Sequence, residues 1–213
     1  MDARDPHSLR RRIERRLQGS TPGGDPLLAW VADLSPEQTA VLRDHLPATF
    51  ARAAVMVPIV ERPQGLTVLL TQRASHLKHH PGQISFPGGR IEPHDAGPWE
   101  AALRETREEI GLGEEYASLA GYLHDHMVLT GYLITPAVAF VRPGFELELD
   151  VTEVDDVFEV PLEFVLDPAH HVPRRRTFGG HEFLTHDIPF GERHIWGATA
   201  GMLLSLHRLL QED

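Results

Sequence analysis

The feature that most constrains the fold of this chain is a glutamate-rich helical segment that follows a glycine-rich loop. Pro98 suits the first turn of a helix and Gly111 the position just after one, so a helix is predicted between them. Residues three and four apart are neighbours on a helix, so Glu105, Glu108 and Glu109 crowd one face. Another face of the same helix remains apolar enough to reach a core.

The amino-acid composition of this helix is compatible with two interpretations. A glutamate-rich helix is often only a solvated surface, because the repulsion of Glu105 and Glu109 costs on the order of a few tenths of a kcal/mol. The other interpretation is a cation site, in which the adjacent glycines Gly88 and Gly89 let the backbone approach the carboxylates closely. Oxygen ligands of this kind suit Mg²⁺, so the upstream glycines favour the second interpretation.

Short β-branched runs on both sides of the helix predict a sheet. The runs 53–60 and 66–71 are joined by turn residues and predict a hairpin, followed by a long loop over 75–89 with a candidate short strand at 83–86. Further strands are expected at 118–123, 133–141 and 157–160, with two more around the glycine pair 179–180. A last helix is expected over 195–210, with Trp196 packed in the core.

The first fifty residues have a different sequence pattern from the rest of the chain, and this pattern predicts a peripheral helical segment. Leu9, Ile13 and Leu17 recur at four-residue spacing among arginines, and Ser35 before Pro36 marks a second helix start. We therefore divide the chain into an N-terminal helical segment, 1–50, and a second domain, 51–213, that holds the glutamate helix and the strands.

Composition narrows the class of protein. The 213 residues include 20 Lys and Arg against 31 Asp and Glu, a formal net charge of −11, and no cysteine. This charge disfavours general binding to nucleic acid or to an anionic membrane. Disulfides and cysteine chemistry are excluded, and no apolar run is long enough to span a bilayer. We expect a cytoplasmic protein with a small-molecule substrate, and the sequence leaves its assembly open, a homodimer included.

At this point the chain resembles the Nudix hydrolases. The resemblance rests on Gly89, a fifteen-residue step to Arg104, and the run Arg-Glu-x-x-Glu-Glu-x-Gly-Leu over 104–112. The usual Nudix box is one residue shorter, and here Asp95 occupies its acidic position. That departure is characteristic of the coenzyme A pyrophosphatase branch, and the segments 69–89, 157–162 and 195–200 are similar to this branch as well.

The resemblance implies a fold and an activity. The implied fold is of the α+β class: an α/β/α sandwich around a mixed β-sheet, with a loop-helix-loop holding the metal. The implied activity is Mg²⁺- or Mn²⁺-dependent hydrolysis of a nucleoside diphosphate linked to another moiety. For this branch, the implied products from coenzyme A are 3′,5′-ADP and 4′-phosphopantetheine.

The motif match also implies residue roles. Glu105 and Glu109 are expected to be the main metal ligands, with Glu108 a third or water-mediated ligand. The carbonyl of Gly89 is a further candidate ligand. Arg104 is expected to orient the glutamates, because it sits in a ladder between Glu100 and Glu108. The general base stays open between Glu105 and a carboxylate from another loop, for which Glu153 is the first choice.

Substrate contacts are expected from basic residues outside the helix. Arg73 follows a strand and should emerge near the metal, and Lys78 and His80 belong to the matched loop. Arg175, within the arginine run 174–176, is the candidate for a 3′-phosphate, although a solvated surface is the favoured explanation of that run.

Two other functions compete with coenzyme A hydrolysis. One is a Nudix hydrolase of another substrate, such as ADP-ribose or a dinucleoside polyphosphate. The other is a non-catalytic nucleotide-binding module. The loop 73–89 favours coenzyme A, and the three helix glutamates argue against a silent domain.

Overall fold

The computed structural model describes residues 6–24, 34–47, 49–128, 131–178 and 180–211. Its helices are α1 Pro6–Leu17, α2 Pro36–Asp44, α3 Pro98–Ile110, α4 Leu162–Leu166 and α5 Gly197–Gln211. Its strands are β1 Ala51–Arg62, β2 Gly65–Arg73, β3 Ile84–Ser85, β4 Gly88–Arg90, β5 Ala117–Tyr122, β6 His126–Val128, β7 Tyr132–Val141, β8 Val154–Pro161, β9 Val172–Phe178, β10 His181–Phe190 and β11 Arg193–Ile195. Within these described ranges, no helix is both long and apolar enough to cross a membrane.

Strand β1 is the centre of a mixed eight-stranded sheet. Its residues 53–60 are all buried, as a strand covered on both faces requires. It forms the predicted antiparallel hairpin with β2 and pairs in parallel with β7. A parallel pair needs a long crossover, and helix α3 lies in the stretch of chain that connects β1 to β7. The short strand β4 pairs with β1 and leads the chain toward α3.

Helices cover both faces of this sheet. Side chains alternate along each strand, so Leu69 packs with α3 through Ala102 and Ile110, whereas its neighbour Leu70 packs on the opposite face. That opposite face is covered by α1 and α5, the latter through Leu206. The predicted α/β/α sandwich around a mixed sheet is therefore confirmed.

The sequence predicted a peripheral first helix, but the structure packs this helix against the main sheet. Ile13 and Leu17 are fully buried in the same hydrophobic cluster as β1, β2 and α5. Arg10 forms an ion pair with Glu61 at the end of β1, and its guanidinium lies 4.3 Å from the ring centroid of Phe140. Helix α1 thus completes one layer of the sandwich.

The end of the chain also differs from expectation. The last helix begins at Gly197, because Ile195 pairs with Ile188 in a separate sheet formed by β9, β10 and β11. Trp196 is not a core residue: it is 36% exposed, and the guanidinium of Arg176 lies 5.0 Å from its ring centroid. The expected loop over 75–89 holds two short strands, β3 and most of β4.

Truncating the buried side chains of α1 should destabilise the whole domain. Leu17→Ala is expected to lower the free energy of unfolding by about 2–5 kcal/mol, the usual cost of removing a buried leucine side chain. Urea titration followed by circular dichroism measures the change. Arg15→Ala, on the exposed face of the same helix, is the control and should change it by less than about 0.5 kcal/mol. Equal small effects for both variants would contradict a structural role for α1.

Candidate active site

Helix α3 carries the glutamates and is fixed at both ends by local sequence. Pro98 occupies its first turn, and Gly111 ends it in the left-handed region with φ of 73°. Ala102 and Ile110 bury one face against the sheet. Glu109 is only 5% exposed, so this carboxylate lies under the protein surface instead of in solvent.

The glycine pair before α3 lets the backbone touch two carboxylates. The amide of Gly88 donates a hydrogen bond of 3.1 Å to Oε2 of Glu109. A Cβ placed on Gly89 would lie 2.4–2.6 Å from the carboxylate atoms of Glu105, closer than real atoms approach. Any side chain at position 89 would therefore displace the Glu105 carboxylate from this position. The role of the Gly88 amide was missed in the sequence, although the doublet of glycines is its signal.

Arg104 joins the charged groups of the site. Its guanidinium donates to both carboxylate oxygens of Asp95, through Nε and Nη2, at 3.0 Å each. Its Nη1 donates to Glu105 at 2.9 Å and to Glu108 at 3.0 Å. The main partner is therefore Asp95, which the expected ladder with Glu100 did not include. These bonds raise the pKa of Arg104, with Asp95 the largest cause, and they lower the pKa of Asp95.

Burial governs the protonation of the two inner glutamates. It raises the pKa of Glu109 to about 8, even though the Gly88 amide and Arg73 both oppose the shift. Burial also raises the pKa of Glu105, against the opposing hydrogen bond from Arg104. The negative charge of Glu153 contributes to both shifts, so the structure brings this residue within electrostatic reach of the inner pair.

The remaining glutamate and the nearest arginine stand at the rim of this pair. Glu108 is 59% exposed at its side chain and is held by Arg104. Nη1 of Arg73 lies 3.9 Å from Oε1 of Glu109, which places a cation at the end of β2 beside the buried carboxylate. Arg73 therefore emerges where the sequence predicted it.

The other expected substrate contacts lie farther out. Lys78 and His80 are exposed in the loop between β2 and β3, and His80 has a positive φ of 56°. Arg175 lies on β9 in the separate sheet, is 77% exposed and forms a 3.0 Å ion pair with Glu182. Its neighbours Arg174 and Arg176 both contact the buried carboxylate of Asp187.

The site fits a divalent cation that has few protein ligands. Among the described residues, no three histidine or carboxylate side chains converge as a metal cluster. Glu105 and Glu109 do meet at the glycine pair, Glu105 beside Gly89 and Glu109 at the amide of Gly88. Mg²⁺ is commonly bound by one or two carboxylates, with water and substrate phosphate completing its shell. Glu108 lies beside this pair, because Nη1 of Arg104 donates to both Glu105 and Glu108, but its side chain is 59% exposed.

Fold and site together define a hydrolase with a carboxylate-bearing loop-helix-loop on a mixed sheet, and comparison with known proteins agrees. The family model of the NUDIX domain matches residues 50–178. The uncharacterized Nudix hydrolase NudL of Enterobacter sp. (strain 638) is 38% identical over 156 residues, 73% of this chain and 80% of the relative. A NudL from Shigella flexneri serotype 5b (strain 8401) is 37% identical over 161 residues, 75% of this chain and 83% of the relative.

A solved structure supports the fold. The MutT protein from Methanosarcina mazei Go1 superposes with a TM-score of 0.50 and 20% identity, over 77% of this chain and 95% of the other. The matches of the family model and of the NudL relatives show the family directly. The chain belongs to the Nudix family and is a hydrolase.

Replacing Glu109 should stabilise the metal-free protein at alkaline pH. With a folded pKa near 8 and an unfolded pKa near 4.3, the folded state retains a proton that the unfolded state has lost. Stability of the parent protein therefore falls as pH rises through this window, and Glu109→Gln removes that fall. We expect the stability gain of the variant to be larger at pH 8.5 than at pH 5 by at least about 1.4 kcal/mol, one pKa unit.

Urea unfolding in the presence of a chelator measures this difference. Glu108→Gln is the matched control, because it makes the same substitution on the same helix at a side chain that is 59% exposed. Parallel pH curves for the parent protein and Glu109→Gln would show that burial does not shift this carboxylate.

Proposed function

We propose that this protein hydrolyses the pyrophosphate bond of coenzyme A or its esters, using Mg²⁺ or Mn²⁺. The products from coenzyme A are 3′,5′-ADP and 4′-phosphopantetheine, and esters give acyl-phosphopantetheine. The observation that carries the proposal is the convergence of Glu105 and Glu109 on the Gly88–Gly89 backbone beside Arg73. The carboxylates are placed for a cation, and the arginine for a phosphate.

Each residue has a distinct task in this proposal. A divalent cation held by Glu105 and Glu109 supplies charge neutralisation and an activated water. Arg104 fixes Glu105 through a guanidinium that Asp95 holds at both oxygens. Arg73 binds the pyrophosphate oxygens by charge-assisted hydrogen bonds. Either Glu105 or Glu153 accepts the proton of the attacking water, and Glu153 has the advantage of standing outside the metal ligands.

Coenzyme A is favoured over other nucleotides by the segment around the site. The box is one residue longer than usual. Asp95, at its acidic position, accepts hydrogen bonds from Nε and Nη2 of Arg104. The upstream segment 69–89, similar to the coenzyme A branch, supplies β2, β3 and the glycine pair. ADP-ribose and dinucleoside polyphosphates remain the alternative substrates, since the same metal chemistry serves them.

Product analysis tests the substrate. Coenzyme A, ADP-ribose and a dinucleoside polyphosphate are each incubated with the protein and either Mg²⁺ or Mn²⁺, and products are separated by chromatography. Coenzyme A should give equal amounts of 3′,5′-ADP and 4′-phosphopantetheine, with the highest kcat/KM of the three. Faster cleavage of ADP-ribose or of the dinucleotide would assign the protein to the alternative class.

Removing the charge of Glu109 should stop turnover while preserving the fold. The amide of Glu109→Gln keeps the shape of the side chain but loses the charge that attracts the cation. We expect less than about a tenth of the parent rate at saturating metal, a difference of at least 1.4 kcal/mol in the barrier. Glu108→Gln should lose less, because its carboxylate is held at the surface by Arg104. The reverse order of the two variants would reject the ligand assignment.

The 3′-phosphate of coenzyme A should improve the substrate. A charge-assisted hydrogen bond is worth about 1.5–3 kcal/mol, so dephospho-coenzyme A should have a kcat/KM lower by roughly tenfold to a hundredfold. Arg175→Ala should shrink this ratio if the arginine run binds the 3′-phosphate. Arg73→Ala should slow both substrates alike, because it lies at the pyrophosphate. Equal kcat/KM for both substrates in the parent protein would leave the run on β9 as a solvated surface.

A further inference from the structure

A short turn, residues 150–153, lies immediately before β8 and is bonded to the end of α3. The backbone amide of Asp150 donates a hydrogen bond of 2.9 Å to the carbonyl oxygen of Glu109. The last carbonyls of a helix have no partner within the helix, so Asp150 satisfies one of them from outside. The turn therefore contacts the backbone of the residue whose carboxylate is buried in the site.

The other end of the turn is fastened to the end of β2. The carbonyl oxygen of Glu153 accepts a hydrogen bond of 2.8 Å from the amide of Ala74. The next residue, Val154, is paired with Arg73 in the sheet. The turn therefore bridges two elements of the site: the helix that carries Glu109 and the strand end that carries Arg73.

Hydrogen bonds, and not hydrophobic packing, shape this turn. Its four residues are all exposed, and even Val151 is 72% exposed. Oδ1 of Asp150 accepts from the amide of Thr152 at 2.8 Å and from its hydroxyl at 2.6 Å. The carbonyl oxygen of Asp150 accepts from the amides of Glu153 and Val154, at 2.9 Å each. An aspartate side chain that bonds the backbone two residues on favours a turn, so Asp150 supplies both the side-chain and the backbone acceptors of this one.

Glu153 is the last residue of this turn and lies within electrostatic reach of the inner glutamates. Burial is the main cause of the raised pKa values of Glu105 and Glu109, and the negative charge of Glu153 adds to both shifts. Glu153 itself is exposed, so water has access to it. A general base must lie within hydrogen-bond reach of the proton that it accepts, directly or through one water, so the position of this carboxylate decides whether it can serve.

We infer that Asp150 positions Glu153 for proton transfer, because its carboxylate shapes the turn that holds this glutamate beside the inner pair. The inference rests on the proposed function, in which Glu105 and Glu153 are the two candidate bases, and it selects Glu153. The oxygen of the attacking water forms the new bond to phosphorus, and the bridging oxygen leaves with the electron pair of the broken bond. Glu153 takes the proton of the water. Asp150 acts through Glu153 and is therefore a positioning residue.

Amide hydrogen exchange tests the turn without any turnover. The ¹⁵N-labelled full chain is followed by NMR in the presence of a chelator. Asp150→Ala should speed exchange at the amides of Glu153 and Val154 by about tenfold, because it removes the side-chain acceptor that closes the turn. Asp150→Asn keeps an acceptor oxygen and should exchange nearly as the parent protein does. Unchanged exchange at both amides in Asp150→Ala overturns the inference.

A double-mutant cycle separates positioning from general destabilisation. Glu153→Gln should lower kcat by about a hundredfold, as loss of a general base does. Asp150→Ala should lower kcat by about tenfold at unchanged KM, and Asp150→Asn should recover most of this loss. The double variant of Asp150→Ala and Glu153→Gln should be no slower than Glu153→Gln alone, because both changes act through one carboxylate. Losses that multiply to about a thousandfold, or a parent-like rate in Glu153→Gln, would reject the positioning role.

Asp167 offers a matched control for the loss of a turn-capping carboxylate. It is exposed at the end of α4, on the face of the sheet away from α3, and its Oδ1 accepts from the amide of Ala169 at 2.9 Å. Asp167→Ala removes the same kind of bond two residues along the chain and should leave kcat unchanged. A fall in kcat equal to that of Asp150→Ala would show that the loss is not specific to the turn that holds Glu153.

The inference and the proposed function can fail separately. The rates are measured with whichever of coenzyme A, ADP-ribose and a dinucleoside polyphosphate the protein cleaves fastest. Coupled losses with a substrate other than coenzyme A reject the proposed function and support the positioning role. Coenzyme A cleavage with independent losses supports the function and overturns the inference. If none of the three is cleaved, the proposed function is rejected and the assignment of Glu153 as the base is rejected with it.

Discussion

The arrangement of the site depends on placing the carboxylate of Glu109 beneath the protein surface. Burial disfavours the charged form and raises the pKa of this group to about 8. One backbone amide and one distant guanidinium oppose the shift without cancelling it. In the absence of a cation, the group is therefore mostly protonated at neutral pH. Under the proposed function, a divalent ion bound by Glu109 would relieve this penalty, because it would supply a positive charge beside the carboxylate.

Arg104 reduces the electrostatic repulsion that Glu105 experiences from its neighbouring carboxylates. Three carboxylates within one turn and a half of helix repel each other, and a single guanidinium placed between two of them reduces that repulsion. The guanidinium is itself held by Asp95, whose side chain is almost fully buried and whose pKa is lowered by this bond. Asp95 and Arg104 thus fix the position of Glu105 from behind, and Gly89 leaves room for its carboxylate in front.

Sequence alone predicted the elements whose ends are set locally. Helix α3 begins at a proline and stops at a glycine, and both signals act within one turn of the chain. Strand β11 was missed because its three residues become a strand only by pairing with Ile188 and its neighbours on β10. Trp196 was misplaced for a related reason: an apolar residue identity does not reveal that an arginine from β9 covers its ring at the surface.

The site was predictable in its residue types and less so in its contacts. Helical spacing gathers three glutamates on one face, but it does not tell which of them the sheet will bury. Glu109 is buried because it follows Ala102 by about two helical turns and lies on the same side of α3, and the packing of Ala102 against β1 and β2 pulls that side inward. Glu108, one residue earlier, is rotated by about 100° and stays in solvent. The distinction between a buried and an exposed carboxylate is thus made by the hydrophobic packing of the helix, and the same packing must offset the cost of the buried carboxylate.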